Sequence, residues 1–338
     1  MGMERDHKTD NANRAESSGT IEDGGITEIG SAAESSHAAE SAGCSLCPRN
    51  CGARRQEGGI GICGQTDRLK AARAALHFWE EPCISGKEGS GTVFFSGCNL
   101  HCVYCQNRDI SGGAAGKYIT IERLSAIFLE LQKKGANNIN LVTPGHFAFE
   151  IAEALVRAKR QGLHLPIVYN TGSYEYAETL RKMEGLVDIY LPDFKYMDPA
   201  LGRRYSHAED YSGTAKAAIA EMVRQTGAAV FENGDEDGLI KRGTIVRHLV
   251  LPGCVEDSKA VIRYLYETYG NTIYISIMNQ FTPMPGLKDY PEINRRVTKE
   301  EYGEVVDYAI SLGVENGFIQ EGETAEESFI PAFDGEGI

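Results

Sequence analysis

Six short apolar runs between residues 92 and 278, each followed by a helical pattern, leave few folds open to this chain. They are TVFF (Thr92 to Phe95), NINLV (Asn138 to Val142), LPIVY (Leu165 to Tyr169), VDIYL (Val187 to Leu191), TIVRHLVL (Thr244 to Leu251) and TIYISIM (Thr272 to Met278). Rich in β-branched and aromatic residues, they read as buried strands. From Thr120 a helix places Leu124, Ile127, Phe128 and Leu131 on one face and stops at Gly135. Further helices are expected over about residues 148–160, 174–183 and 214–225, and from a cap at Asp257 to Gly270. A last one opens on the capping box Thr298 to Glu301 and ends at Gly313. Such alternation predicts an α/β fold whose parallel sheet is joined by right-handed crossovers. Six units are too few for a full eight-stranded barrel. Gly317 to Gln320 reads as an added edge strand, and Phe329, Ile330 and Phe333 as ties of the carboxyl end to the core.

The first run leads into GCNLHCVYCQN, which holds Cys98, Cys102 and Cys105 with three residues in the first gap and two in the second. Three thiolates at the end of a strand suit a four-iron, four-sulfur cluster, since each fully satisfied iron takes one cysteine. The fourth iron is then open, which is a position for chemistry rather than for electron storage.

Upstream, CSLCPRNCGARRQEGGIGICG carries Cys44, Cys47, Cys51 and Cys63, separated by two, three and eleven residues. Its glycine turns let the chain fold back on a metal. Four thiols fit tetrahedral zinc and a second iron–sulfur cluster alike. Cys83 reads as a small buried hydrophobe or else a substitute ligand for that metal, and Cys254 as structural. Residues 1–42 are Ser-, Ala-, Gly- and acid-rich and read as a disordered tail. Residues 43–90 then form a Cys-rich metal module with a linker, and residues 91–338 the main domain. The net charge is −14, of which nine acids and three bases in residues 1–43 contribute −6. A mildly acidic remainder argues against nucleic acid as a partner. Nothing approaches the length of a membrane span. Nine cysteines without an apolar secretory segment point to a reducing cytoplasm.

The cysteine spacing, with the aromatic Tyr104 just before the last thiol, resembles the radical SAM superfamily. EEPCISG, GSGTVFFSGCNLHCVYCQN, NLVTPGHF, IYLPDFKY, VRHLVLPG and MNQFTPM together resemble a branch similar to pyruvate formate-lyase activating enzyme, over about residues 44–334. The resemblance implies a partial (β/α)6 barrel with a [4Fe-4S] cluster on Cys98, Cys102 and Cys105. S-adenosylmethionine (SAM) would chelate the open iron, and one electron would release a 5′-deoxyadenosyl radical. It further implies a glycyl radical protein as target and a flavodoxin- or ferredoxin-type electron donor. The alternatives are another peptide or a small molecule as target, or an interaction or electron-transfer module that does not cleave SAM.

Parallel α/β folds collect function at the carboxyl ends of their strands. Relatives carry a Gly-Gly-Glu type turn after the second strand; here Thr143 stands near that place, followed by His146. Asn170 and Thr171 follow the third strand. Asp193 and Lys195, two residues apart past the fourth, should point the same way and hold SAM's carboxylate and ribose. Arg247, a charge inside the apolar fifth run, is expected to pair with the SAM carboxylate or in a buried salt bridge. Asn279, Gln280 and Thr282 follow the sixth, with Gln280 the expected SAM contact. Tyr104 completes the set.

Overall fold

The structure is a computed structural model that describes residues 43–234, 238–320 and 331–338. The tail expected over residues 1–42 lies outside the described residues, as do Phe329 and Ile330. In chain order the elements are β1 (Lys70–His77), α1 (Pro82–Ser85), β2 (Ser90–Phe95), α2 (Arg108–Ser111), β3 (Lys117–Tyr118), α3 (Ile121–Lys133), β4 (Ile139–Val142), α4 (Ala148–Arg160), β5 (Ile167–Thr171) and α5 (Ala177–Arg181). There follow β6 (Ile189–Pro192), α6 (Pro199–Ser206), α7 (Tyr211–Thr226), β7 (Val230–Phe231), β8 (Ile240–Leu249), α8 (Val255–Tyr269), β9 (Tyr274–Met278), α9 (Lys299–Leu312) and β10 (Gly317–Ile319).

All six predicted strands form, as β2, β4, β5, β6, β8 and β9. The sheet runs β10-β9-β8-β6-β5-β4-β2-β1-β3, with β7 paired to β8. From β2 through β10 the main ladder is parallel. Among the described residues no pairing joins β10 to β3, so the barrel is partial and open on that side. Two expectations need correction. Ser41–Ile338 forms one compact unit. The presumed linker holds β1, which runs antiparallel to β2. And α8 begins at Val255, with Cys254 rather than Asp257 at its cap. The Asp257 carboxylate instead accepts from the Met197 and Asp198 amides, tying α8 to the loop after β6.

Alternation along the strands separates two faces. Val93, Leu141, Tyr169 and Tyr190 pack outward with Leu124 and Phe128 of α3 and Ile151 and Leu155 of α4. The inner face is apolar below: Val168, Ile189, Ile245 and Tyr274 enclose Cys83 and Ile84 of α1. Thus α1 plugs the bottom of the barrel. One step toward the strands' carboxyl ends the inner residues become Asn170, Asp193, Arg247 and Ser276, with Arg247 in register with Ser276 and bridged to Asp193. The site stands on this polar layer.

The caps of α3 and α9 match expectation. The Thr120 side chain accepts from Arg123 N, and Thr298 and Glu301 form a capping box. Residues 331–338 lie along β1, where Gly335 N donates to Ala72 O (3.1 Å) and Ala74 N to Glu336 O (2.9 Å). Phe333 meets Phe94 edge-on at 5.4 Å, so this expected tie is present.

Candidate functional site

Above the plug lies a cavity of about 230 Å³. Its lining includes Cys98, Cys102, Cys105, Tyr104, Thr143, Asn170, Asp193, Lys195, Arg247 and Gln280. Every candidate predicted for the cluster and for SAM therefore meets in one place. His146 does not line it. Buried, it bonds the Ser96 carbonyl at 2.7 Å and steadies the entrance to the cysteine loop.

The floor is a charge network centred on Arg247. Its Nε donates to Asp193 (2.9 Å), one terminal nitrogen to Glu80 (3.0 Å) and the other to Asn170 Oδ1 (2.7 Å). Glu80 also accepts from the Asn140 and Asn170 amides. The guanidinium is thus engaged on three sides by the protein, which is the buried salt-bridge arrangement rather than a free SAM-carboxylate clamp. Lys195 Nζ donates to the second Asp193 oxygen at 2.7 Å. Burial would raise Asp193, but Arg247 and then Lys195 hold its carboxyl below the usual range. Burial works against the Lys195 charge, yet Asp193 beside it keeps the ammonium protonated well above its ordinary value. Asp193 therefore divides its two oxygens between a fixed guanidinium and an ammonium at the cavity wall.

Sequence reasoning missed the acids of this floor. Glu80 and Glu81 leave β1 for α1 and enter the barrel from the segment read as linker. Burial raises the Glu81 carboxyl, with Arg247 only partly opposing. Two adjacent acids between HFW and Pro82 were the available signal, since an acid pair flanked by apolar residues must be buried or paired.

Thr143 sits where β4 turns into the cavity. Its φ is 54°, the left-handed region that β-branched residues avoid. Its amide donates to Asn170 O at 2.9 Å, which holds the turn. Gln280 is placed by its carbonyl, which accepts from Gln106 of the cysteine loop at 3.0 Å.

The cysteine loop starts at Gly97, with φ 93°, where a Cβ would lie 2.5 Å from the Cys63 carbonyl. Cys98 N donates to that carbonyl (3.2 Å), so the loop is seated on the amino-terminal Cys segment. Burial, reinforced by the neighbouring thiols, pushes Cys98 up to about 11 and Cys105 up to about 12. Such thiols need a cation to become thiolates. The Cys98 sulfur accepts from the Leu100 amide (3.4 Å) and the Cys102 sulfur from the Ser206 hydroxyl (3.0 Å), which are bonds suited to metal-bound thiolates. Among the described residues no three His, Cys, Asp or Glu side chains stand close enough to hold a single metal ion. A four-iron cube spans more room than one ion, and the three-thiol set lining one cavity fits that group.

Cys44, Cys47, Cys51 and Cys63 lie outside the cavity, on the segment beneath the loop. A Cβ on Gly61 would stand 3.3 Å from the Cys63 sulfur and 3.5 Å from that of Cys51. The segment is bolted down by Arg49, which donates to the carbonyls of Asn99 (2.6 Å), Leu100 (3.2 Å), Ser206 (2.8 Å) and His207.

The site is thus an open parallel barrel with a three-cysteine loop after its first parallel strand, facing a buried Arg–Asp–Lys floor. Residues 92–230 match the Radical SAM superfamily. It is 28% identical over 278 residues to an uncharacterised protein of Methanocaldococcus jannaschii, covering 79% of this chain and 74% of that one. It is 33% identical over 114 residues to the pyruvate formate-lyase-activating enzyme of Clostridium pasteurianum, covering 31% of this chain and 45% of that enzyme. Streptococcus suis SuiB bound to S-adenosylmethionine superposes with a TM-score of 0.45 at 12% identity, over 66% of this chain and 48% of that one. The chain thus spans about half the length of the activating enzyme and of SuiB. Among the described residues no helix is long and apolar enough to cross a membrane.

Proposed function

We propose that this chain is a radical SAM enzyme that abstracts hydrogen from a backbone glycine of a partner protein, in the manner of an activating enzyme. The carrying observation is the cavity in which Cys98, Cys102 and Cys105 face Asp193 and Lys195. Cys98, Cys102 and Cys105 would hold a [4Fe-4S] cluster with one iron left for SAM. Bound there, cluster and SAM would supply hydrogen-abstracting radical chemistry by one-electron cleavage of the sulfonium, with a small flavodoxin- or ferredoxin-type protein as the proposed electron source. Lys195 would offer its ammonium to the SAM carboxylate while Asp193 keeps it charged. Arg247 fixes Asp193 and Asn170, so it orients the floor rather than gripping ligand. Thr143, just past β4, and Gln280, just past β9, add polar residues to the cavity lining. Cys44, Cys47, Cys51 and Cys63 would hold a second metal centre that keeps the cysteine loop seated, and since no three of these thiols stand close enough for a single ion, an iron–sulfur cluster suits them better than zinc.

The test is anaerobic, iron-reconstituted protein given SAM and dithionite. Release of 5′-deoxyadenosine and methionine, lost in the Cys98, Cys102 and Cys105 to Ala triple variant along with about four irons, supports the cleavage. No product from the fully loaded protein sinks it. Deuterium passing into 5′-deoxyadenosine from a glycine-labelled partner supports the activase target. A second reading keeps the chemistry but moves it to another peptide or a small molecule. It is favoured by the Cys-rich segment bonded to the cysteine loop, which a compact activating enzyme does not need. Label arriving only from such a substrate would decide for it.

A further inference from the structure

Three buried hydroxyls lead in single file to one thiol of the cysteine loop. Tyr104 and Tyr196 share a hydrogen bond of 2.6 Å, Tyr196 and Ser206 one of 2.8 Å, and Ser206 donates to the Cys102 sulfur at 3.0 Å. Tyr104, Tyr196 and Ser206 are all buried. Each hydroxyl has one proton to give. Once Ser206 gives its proton to sulfur, Tyr196 must donate to Ser206 and Tyr104 to Tyr196. The row is therefore polarised in one direction, toward Cys102, and bonds in such a row strengthen one another.

Ser206 is held in place from both sides. It is the last residue of α6, and His207 closes that helix in the left-handed conformation at φ 53°. Arg49 grips the carbonyls of Ser206 and His207 with the same guanidinium that grips Asn99 and Leu100 of the cysteine loop. The helix end and the loop are thereby fixed against each other, which sets the distance from Ser206 to Cys102. Tyr211 and Tyr205 flank Tyr196 at 5.4 and 6.3 Å, so water is kept from the row.

We propose that Ser206 is a positioning residue for the radical chemistry: its hydroxyl, polarised by Tyr196 and Tyr104, donates to the Cys102 thiolate and makes the cluster on that thiolate easier to reduce. The physical reason is simple. Adding an electron places more negative charge on the sulfurs, and a donor aimed at one of them stabilises the reduced form more than the oxidised one. The inference rests on Cys102 being a cluster ligand.

The experiment is a redox titration, followed by electron paramagnetic resonance, of the full chain reconstituted with iron and sulfide. It compares wild type with Ser206→Ala, Ser206→Thr and Tyr196→Phe, iron content being measured for each. In Ser206→Ala, at a fixed solution potential, the ratio of reduced to oxidised cluster falls about three- to tenfold, the scale of one ordinary net hydrogen bond. Ser206→Thr restores the ratio, because it keeps the hydroxyl. Tyr196→Phe leaves Ser206 in place and gives a smaller fall in the same direction, which carries the test if Ser206→Ala fails to fold. An unchanged ratio in Ser206→Ala or in Tyr196→Phe at wild-type iron content overturns the proposal, as does a fall that Ser206→Thr does not reverse. Wild type that forms no cluster overturns the cluster reading itself, and this proposal with it.

Discussion

Arg247 and Asp193 meet at 2.9 Å inside the barrel, where each is the other's largest electrostatic partner. Removing the cation leaves Asp193 and Glu80 buried with less compensation. Arg247→Ala is expected to cost about 3–5 kcal/mol of stability, the scale for breaking a buried pair. Arg247→Lys keeps the charge but cannot reach three partners at once, and should fall between. Guanidinium unfolding midpoints at pH 7 measure both. An alanine variant within 1 kcal/mol of wild type would show that the network is not a structural one.

Thr143 adopts a backbone conformation that a β-branched residue resists, with φ at 54°. Glycine there relieves strain of about 1–3 kcal/mol, less its own greater unfolded-state freedom of about 0.5–1 kcal/mol. Thr143→Gly should therefore raise stability by about 1 kcal/mol while weakening SAM binding. Calorimetric melting and SAM titration read the two effects separately. A variant less stable than wild type would mean that the Thr143 side chain, not the turn, holds this corner.

Acid should weaken the fold through His248. Burial drives this histidine down to about 4, and its two nitrogens are taken up by the Phe194 carbonyl (2.7 Å) and the Ser258 hydroxyl (2.9 Å). The unfolded chain binds the proton first, so its contribution is complete above about 6.5, the ordinary histidine value, and is lost as pH falls toward 4. His146, also held to about 4 by burial, acts with the same sign. Between pH 6 and 4.5 each histidine steepens the fall by up to about 1.4 kcal/mol per pH unit. His248→Gln should remove one such increment, as denaturation at pH 7 and at pH 5 will show. Equal slopes in variant and wild type would refute the assignment.

Arg49 serves four carbonyls, two on the cysteine loop and two at the end of α6. Arg49→Met keeps the length and drops the donors, at an expected cost of about 1.5–3 kcal/mol. It should also speed alkylation of the cysteine-loop thiols in metal-free protein, because Ser206 and Cys102 would no longer be held in register. Thiol labelling at wild-type speed would count against that coupling.

The six parallel strands were legible because a strand buried on both faces must be apolar throughout, and TVFF, INLV or YISIM have no other use in a fold of this size. β1 was not, since KAARAALH, made mostly of Ala and basic residues, carries a composition that favours helix when read alone. It becomes a strand by pairing with β2 from Ala71 to His77. Asp193 and Lys195 were legible from their two-residue spacing, and they do share a salt bridge at 2.7 Å. Glu80 was hidden because its partner lies 167 residues away. Ser206, which is 104 residues from Cys102, gave no local sign. Contacts of that range are set by how strands are ordered in the sheet, which no short motif records.

The plug that α1 forms has a consequence for biosynthesis. Glu80 leaves the ribosome well before the cation that neutralises it, and Asp193 also waits for Arg247. A nascent chain halted ahead of β8 would have to enclose two acids with no guanidinium, so its lumen stays hydrated and unformed. The floor of the cavity is then assembled late and in one step, and a truncated product short of residue 247 should present its cysteine thiols to solvent rather than shelter a cluster.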